Sequence, residues 1–309
     1  MNCDGRRKIW ERLITGNRLD GIELQLINGR VDLTAFKVPD PLVTREYNTE
    51  KANVKQFGNL IHIHDVHWDG IDFSDSRLNS LRFHGCRIQN CSFDNAECQD
   101  WRIWRTHISN CSFRSTDLRR SSLGGVEGGE RNLFQNIDFT KADLRQTAHE
   151  SADFVECRFS DTNLAKVDFW GTIFLNCVFE GRLDEVIFHR QAFRGEKYPP
   201  NEMKGVDFRR ARFRFVEFRG LDMTDVRWPE DDDAIVLENY SETLKQVLRT
   251  LKTRSDTPSM KLAAIIESDL KWAGPGQKQG LISKRDLNEV GGEWAVNEFL
   301  KLIGRERRI

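Results

Sequence analysis

The sequence has no long apolar run and almost no net charge. A bilayer span needs about 18 to 20 apolar residues, and no stretch of the 309 residues approaches that length. The formal net charge is −1, so no global field favours nucleic acid or a basic partner. The first residues, MNCDGRRKIWERLI, are basic but contain no apolar signal-peptide core. We therefore expect a cytoplasmic protein with no membrane association.

Sequence motifs for catalysis and ligand binding are also missing. The chain has no nucleophile elbow, no phosphate-binding loop, and no CxxC pair among its 7 cysteines. A glycine-rich segment begins at Gly124, but no predicted helix follows it, as a phosphate cradle would require. We expect no catalytic residue, no cofactor and no bound metal, and hence a protein that is not an enzyme.

What the sequence does contain is a large, mostly apolar residue at every fifth position. Residues five apart face opposite sides of a strand and lie about 140° apart on a helix, so neither element explains this period. The backbone must turn once every five residues. The mostly small residue two positions earlier shares a strand face with each large one, so both point inward. The unbroken series is Ile63, Trp68, Phe73, Leu78, Phe83, Ile88, Phe93, Cys98, Ile103, Ile108, Phe113, Leu118 and Leu123.

A second period shows how the turns stack. The string IQNCSF at 88–93 recurs as ISNCSF at 108–113, an offset of 20 residues or four turns. Four turns then make one coil, and equivalent residues of successive coils stack at the strand spacing of about 4.8 Å. This predicts a column through Phe73, Phe93 and Phe113.

These units resemble the pentapeptide-repeat family, whose units read roughly Ala-Asp/Asn-Leu-x-x with Phe often replacing Leu. The best matches are ADL at 142–144, ADF at 152–154, TNL at 162–164, and VDF at 167–169 and 206–208. The resemblance covers about 63–228 and implies a mainly β fold, a right-handed four-sided β-helix solenoid. It also implies one function, because some members mimic duplex DNA, bind type II topoisomerases such as gyrase and protect them from quinolones.

The register breaks once in the middle of the repeats. After Leu123 it is interrupted by GGVEGGERN and resumes at Phe134, an interval of 11 instead of 10. One inserted residue and several glycines predict a mobile surface loop over 124–131. Loops that project from a regular solenoid are good places for partner contacts. The candidate partner-binding residues of this loop are Gly124, Gly125, Glu127 and Gly128.

Cysteines and one histidine occupy core positions of the repeat. Six of the 7 cysteines fall in inward-facing slots, Cys91 and Cys111 being 20 residues apart. Stacked thiols could form a disulfide or a metal site, but free cysteine also serves as a small buried side chain, which we predict here. His149 replaces the expected apolar residue, and we predict a hydrogen-bonded or locally bulged histidine rather than a catalytic one.

Three further histidines lie at the start of the clear register. His62 and His64 flank the inward-facing Ile63, so both point outward on one face, while His67 lies around the corner. Two histidines at that spacing could begin a metal site. Surface histidines without a cysteine or carboxylate set are more often solvated, and we predict no metal here.

The two flanks of the solenoid have other periods. Residues 1–62 predict an N-terminal cap with a short helix over 5–14, a hairpin about Asn28-Gly29, a partial coil through Leu33 and Val38, and a loop over 44–60. Residues 229–309 form a C-terminal helical region, with helices predicted over 237–254, 258–273, 283–290 and 294–303. These helices could pack on the last coil or mediate a homodimer.

Charge is uneven along the solenoid. Residues 63–100 carry a net charge of −4, whereas 204–219 carry +4. The second segment could simply have solvated corners, or it could be an arginine strip that docks an acidic partner through Arg209, Arg210, Arg212 and Arg214.

The whole repeat region has 24 Lys/Arg against 26 Asp/Glu over 63–228, and a DNA mimic needs a strongly acidic rod. The sequence therefore favours a non-catalytic protein-binding module that presents a rigid β-helix surface to a protein partner. A DNA-mimic, gyrase-binding protein is the alternative, and direct nucleic-acid binding is not expected.

Overall fold

A computed structural model describes residues 3–38, 54–57, 60–193, 198–274 and 277–305. The N-terminal part contains helix α1 (Cys3–Ile14) and strands β1 (Leu26–Ile27), β2 (Arg30–Asp32) and β3 (Val54–Phe57). The C-terminal part contains β21 (Ala234–Leu237), α2 (Tyr240–Leu251), α3 (Thr257–Trp272), β22 (Gly280–Ser283) and α4 (Lys284–Leu302). No helix among these residues is both long enough and apolar enough to cross a membrane.

Between them lie 17 short strands. The first nine are β4 (Leu60–His64), β5 (His67–Asp69), β6 (Ile71–Asp72), β7 (Leu81–His84), β8 (Arg87–Gln89), β9 (Arg102–Trp104), β10 (His107–Ser109), β11 (Val126–Glu127) and β12 (Glu130–Gln135). The rest are β13 (Ala152–Val155), β14 (Arg158–Ser160), β15 (Asp168–Phe169), β16 (Ile173–Leu175), β17 (Val178–Asp184), β18 (Ile187–His189), β19 (Ala211–Arg214) and β20 (Glu217–Arg219).

Parallel pairing at an offset of 20 residues builds the coil. Ile63 pairs with Phe83, and Phe83 pairs with Ile103. The same offset joins Trp68 to Ile88. The predicted mainly β fold, a β-helix, is therefore confirmed. Its hand and its four-sided cross-section stay predictions.

The turns between strands explain why the period is five. The residue two positions after a central apolar residue repeatedly has a positive φ, as at Asp75, Asn90, Asn95 and Asn110. Asn and Asp tolerate this left-handed conformation better than most residues because their short polar side chains can hydrogen-bond locally. The sequence thus supplies a turn-forming residue in each unit, and the chain bends away from a straight strand there.

The core consists of columns of stacked rings. Phe73 stacks on Phe93 with ring centroids 5.4 Å apart, and Phe93 stacks on Phe113 at 4.6 Å. The predicted column is confirmed. It continues through Phe139, Phe159, Phe179 and Phe208.

The break at 124–131 is a β-hairpin, so the predicted loop is wrong in its structure. β11 and β12 pair antiparallel, with Glu127 opposite Glu130. Beyond the hairpin Ile108 pairs with Phe134, an offset of 26 instead of 20. The coil is therefore six residues longer, a full unit of five plus one, although the phase of the apolar period changes by only one. A local period cannot distinguish these two insertions.

The N-terminal helix and hairpin are confirmed, and the coil begins earlier than 63. Val31 pairs in parallel with Ile71, and the pairing continues to Lys37, which bridges Arg77. Of the loop predicted over 44–60, residues 54–57 instead form β3, which pairs antiparallel with β4 because edge backbone groups gain hydrogen bonds there. Residues 44–53, 58 and 59 lie outside the described residues.

The C-terminal helices are confirmed with one correction. The helix predicted from 237 begins at Tyr240, because Ala234–Leu237, an AIVL run, forms β21 and pairs with β22. Helix α3 lies where the 258–273 pattern predicted it. The last two predicted helices form α4, whose backbone breaks its helical conformation at Gly292, with φ 73°.

Candidate protein-binding surface

The four predicted arginines lie on the last coil, but two of them are already neutralised. Arg209 places Nη2 2.7 Å from Oδ2 of Asp207, and that hydrogen bond holds the pKa of Asp207 below its usual range. Arg214 places Nη2 2.7 Å from Oε1 of Glu289 and Nη1 2.9 Å from Oδ1 of Asp184. Arg214 therefore connects strand β19 to helix α4, and its role in this structure is to join the coil to the helical region.

The other two arginines remain on the surface. The Arg210 side chain is 83% exposed, with Nη1 3.4 Å from Oε1 of Glu180. Arg212 is exposed and lies opposite Arg182 across the β17–β19 pair. Within the described residues no carboxylate forms an ion pair with Arg212. The arginine strip that can still meet a partner consists of Arg210 and Arg212.

An open cavity of about 300 Å³ lies between the last coil and the C-terminal helices. Its rim includes Trp272, which is 38% exposed, and Val290, which is 54% exposed. Large apolar side chains grouped at a concave opening are typical of binding surfaces. The sequence did not indicate this cavity, because its walls come from segments far apart in the chain. Its aromatic and aliphatic lining includes Phe213, Phe215, Phe218, Tyr240, Ile265 and Trp272.

Three carboxyl groups line the inner part of the cavity. Burial raises the pKa of Asp269 to about 7, and the charges of Glu217 and Asp286 raise it further. Asp286 accepts a hydrogen bond from the Phe215 backbone N–H at 2.9 Å. Burial also raises the pKa of Asp286. The interior of the cavity therefore tolerates protonated carboxyl groups near neutral pH and does not favour a further anion.

The walls of the cavity are attached to each other by specific contacts. The Gly220 N–H donates to the Trp272 carbonyl at 2.8 Å. The Arg219 guanidinium lies over the Trp272 ring, 3.9 Å from its centroid. Such cation–π contacts orient the aromatic ring. The exposed edge of Trp272 is therefore held in place before any partner arrives.

The second predicted surface, the hairpin, lies against the side of the solenoid. A Cβ at Gly124 would lie 2.3 Å from the carbonyl carbon of His149, and one at Gly125 would lie 3.3 Å from the Trp104 side chain. Glu127 has Oε2 3.8 Å from Nε of Arg105. Gly128, at the tip, has φ 62° and open space around it. No contact within the described residues joins this hairpin to the arginine strip, so the two predicted surfaces are separate.

The histidines near the start of the repeats do come together, in an arrangement the sequence analysis missed. His62 and His64 share a face of β4, and His84 of β7 pairs directly with His64. One ring nitrogen from each lies within 4.8 Å of the others. His67 is exposed on the separate strand β5. The third histidine could have been found from the 20-residue offset, since 84 is one coil above 64.

The repeat cysteines and His149 lie where the sequence placed them. The six repeat cysteines are free and buried, as predicted. The Cys91 backbone N–H approaches Cys111 Sγ at 3.4 Å, which confirms that the pair lies in adjacent coils. His149 is buried and hydrogen-bonded to Thr147.

A family model described as pentapeptide repeats (8 copies) matches residues 150–181. This chain carries pentapeptide repeats. The matched segment includes the ADF, TNL and VDF units at 152–154, 162–164 and 167–169, so the family resemblance is confirmed. Within it, Phe154 pairs with Phe174 and Phe159 with Phe179, the 20-residue offset of the coil. No curated protein sequence matches the chain significantly.

Solved pentapeptide-repeat structures are similar to the chain at low identity. A trypsin-treated form of QnrB1, a plasmid-mediated fluoroquinolone resistance protein, is 18% identical, with 55% of this chain and 78% of that chain covered and a TM-score of 0.34. Rfr23 from the cyanobacterium Cyanothece 51142 is 10% identical, with coverages of 54% and 87% and a TM-score of 0.20. HetL from Nostoc sp. strain PCC 7120, involved in heterocyst differentiation regulation, is 14% identical, with coverages of 53% and 75% and a TM-score of 0.21.

Proposed function

We propose that this pentapeptide-repeat chain is a non-catalytic module that binds a protein partner. The observation that carries the proposal is the open cavity beside the last coil, with Trp272 and Val290 exposed on its rim. Strand β19 supplies both Phe213, which lines the cavity, and the exposed Arg212. Aromatic anchors next to arginines are the side chains that protein interfaces favour most.

The partner we propose is an acidic protein segment that carries an apolar anchor side chain. The anchor would enter the cavity past Trp272, where the carboxyl groups of the interior disfavour an anion. Acidic residues flanking the anchor would meet Arg210 and Arg212. Charge contacts at an exposed rim contribute mainly to the association rate and to specificity, so the apolar anchor supplies most of the affinity.

The rest of the architecture supports this role in our proposal. We propose a right-handed, four-sided coil, with 1–62 as an N-terminal cap, 63–228 as the repeat unit and 229–309 as the helical region. The Trp68 indole N–H donates to the Leu13 carbonyl at 3.1 Å, which holds α1 against the first coil. A solenoid needs such covers because its open ends expose core and unpaired strand edges. A cytoplasmic location belongs to the same proposal.

The test reverses the two exposed charges and leaves the structural ones alone. The double variant Arg210→Glu/Arg212→Glu should weaken capture of the partner from extracts of the native host, and the loss should shrink at high salt because exposed charges are screened. Arg87→Glu/Lys141→Glu changes the net charge equally on other coils and serves as control. Equal capture by both double variants would contradict the proposed surface.

The gyrase-binding alternative gives a different outcome in a separate assay. The repeat region is nearly neutral, with 24 Lys/Arg against 26 Asp/Glu, which is a weak imitation of the phosphate charge of DNA. Purified gyrase should therefore supercoil DNA equally well with and without the protein, and a quinolone should inhibit it equally. Inhibition of supercoiling or drug protection at micromolar protein would favour the alternative.

A homodimer through the C-terminal helices is a further part of the proposal. Met260 of α3 is 61% exposed and Trp294 of α4 is 38% exposed, and apolar side chains of this size are often covered in an assembly. Sedimentation at increasing concentration should show a dimer for the intact chain. Met260→Glu/Trp294→Glu should remain monomeric, whereas a monomer at all concentrations for the intact chain would remove this element.

A further inference from the structure

Three histidine side chains converge on the outer face of the second sheet strand pair. His62 Nδ1 lies 3.0 Å from His84 Nε2. The His64 and His84 rings stack with centroids 4.5 Å apart and planes 10° from parallel. All three side chains are half-buried, so solvent reaches the group. Nothing in the coil architecture requires polar rings here, because the positions face outward.

We propose that His62, His64 and His84 bind a divalent transition-metal ion of the zinc class. Imidazole nitrogens lie about 2.0 to 2.1 Å from zinc, which in a tetrahedral site separates two ligand nitrogens by about 3.4 Å. The His62–His84 separation of 3.0 Å is already close to that value. The widest separation allowed within the group, 4.8 Å, closes by small side-chain rotations without backbone movement. Water fills the fourth position.

Glu127 of the hairpin has the position of a carboxylate that orients a metal-binding histidine. Its Oε1 lies 3.4 Å from Nδ1 of His84. When His84 Nδ1–H donates to this carboxylate, the lone pair remains on Nε2, the atom that faces His62. Metal-binding histidines almost always donate their other ring N–H to such a partner. Glu127 therefore selects the tautomer that the site needs.

The surroundings restrict the His84 ring and balance the nearby cations. His84 is held between His64 and Trp104, whose ring centroid is also 4.5 Å away. Little rotational freedom is then lost when an ion binds. Arg82, opposite His62 in the strand pair, has Nη2 2.7 Å from Oδ2 of Asp100. The charge of this arginine is thereby offset by its own carboxylate.

The site predicts a link between the ion and the hairpin. Glu127 lies on β11, so an ion at the three histidines would be joined through His84 and Glu127 to the segment inserted in the coil. Metal binding itself does not depend on the protein-binding proposal, because its measurement needs no partner. Failure of either proposal can therefore be distinguished from failure of the other.

The experiment titrates untagged, chelator-treated full chain with Co²⁺ and Zn²⁺. We expect one equivalent to bind, with visible d–d absorption for Co²⁺, displacement of Co²⁺ by Zn²⁺, and no effect of Mg²⁺, which prefers oxygen ligands. His84→Phe keeps a ring in the stack but removes the ligand and should abolish the absorption. His67→Ala, an exposed histidine outside the group, should bind as the intact chain does.

Two further measurements keep the result interpretable. Glu127→Gln should weaken Co²⁺ binding by about 10- to 100-fold, the usual effect of removing an orienting partner. Zn²⁺ should raise the Tm of the intact chain but not of His84→Phe, because only a folded chain with the site gains binding energy. Absence of stoichiometric binding, or equal binding by His84→Phe, would overturn the proposal and leave the group as a hydrogen-bonded histidine cluster.

Discussion

Replacing His149 by phenylalanine should remove a specific acid sensitivity of the fold. His149 lies in the core between Phe154 and Phe169, with ring centroids 5.8 and 4.5 Å away. Its Nε2 is 2.6 Å from the Thr147 hydroxyl, and that hydroxyl donates to the Leu144 carbonyl. Nε2 must then carry the proton. Within the described structure Nδ1 has no hydrogen-bond partner, so a second proton would bury an unpaired charge.

The magnitude follows from the pKa of this imidazole. Burial lowers the pKa of His149 from 6.5 to about 3. Between these values the unfolded chain binds a proton that the native chain does not, so stability is complete above pH 6.5 and falls as the pH decreases toward 3. Each pH unit in this interval costs about 1.4 kcal/mol. At pH 5 the loss should be about 2 kcal/mol, and near pH 3 about 5 kcal/mol.

The assay is denaturant unfolding of the intact chain and His149→Phe at several pH values between 7 and 5. At pH 7 the two free energies of unfolding should agree within about 1 kcal/mol, since the variant loses one hydrogen bond and gains apolar packing. At pH 5 the variant should be more stable by an additional 2 kcal/mol or so. His107→Ala, at an exposed position, is the control. A difference between His149→Phe and the intact chain that does not change with pH would refute this reasoning.

Three other predictions concern the core, the hairpin and the helical region. The six repeat thiols should resist labelling in the native state and react after unfolding, because they are buried and burial raises the pKa of Cys86, for one, to about 11; rapid native labelling would contradict the buried ladder. Gly124→Ala should lower thermal stability by on the order of 2 kcal/mol, since its Cβ would meet backbone at 2.3 Å, whereas Gly128→Asn should be nearly neutral. Arg214→Ala should speed hydrogen exchange in α4 by removing the Glu289 contact, and Arg210→Ala should not.

The repeat region was predictable because its information is periodic and local. Each unit supplies a large inward residue, a small one two positions earlier, and residues that accept the turn, so the column through Phe73, Phe93 and Phe113 followed from the sequence. The coil offset was equally visible in IQNCSF and ISNCSF. Where the offset changes, as between Ile108 and Phe134, the phase alone could not show whether one or six residues were added.

The candidate sites were much less predictable, since they depend on contacts between distant segments. Neutralisation of Arg214 requires Glu289, 75 residues later in the chain, and the cavity near Trp272 requires the packing of α3 on the last coil. The strand Ala234–Leu237 was taken for helix because four apolar residues fit either period. His84 was missed because the search for a third ligand stayed near His67 instead of moving one coil along.

The most direct test of the protein-binding surface is photo-crosslinking in the native host. A photoreactive amino acid at Val290, on the cavity rim, should form a covalent adduct with the partner in living cells. The same amino acid at Gly128, on the hairpin tip, or at Arg87, on an earlier coil, should form none. Adducts at Val290 that disappear in Arg210→Glu/Arg212→Glu are the predicted result. Partner adducts at Gly128 or Arg87, with none at Val290, would contradict it.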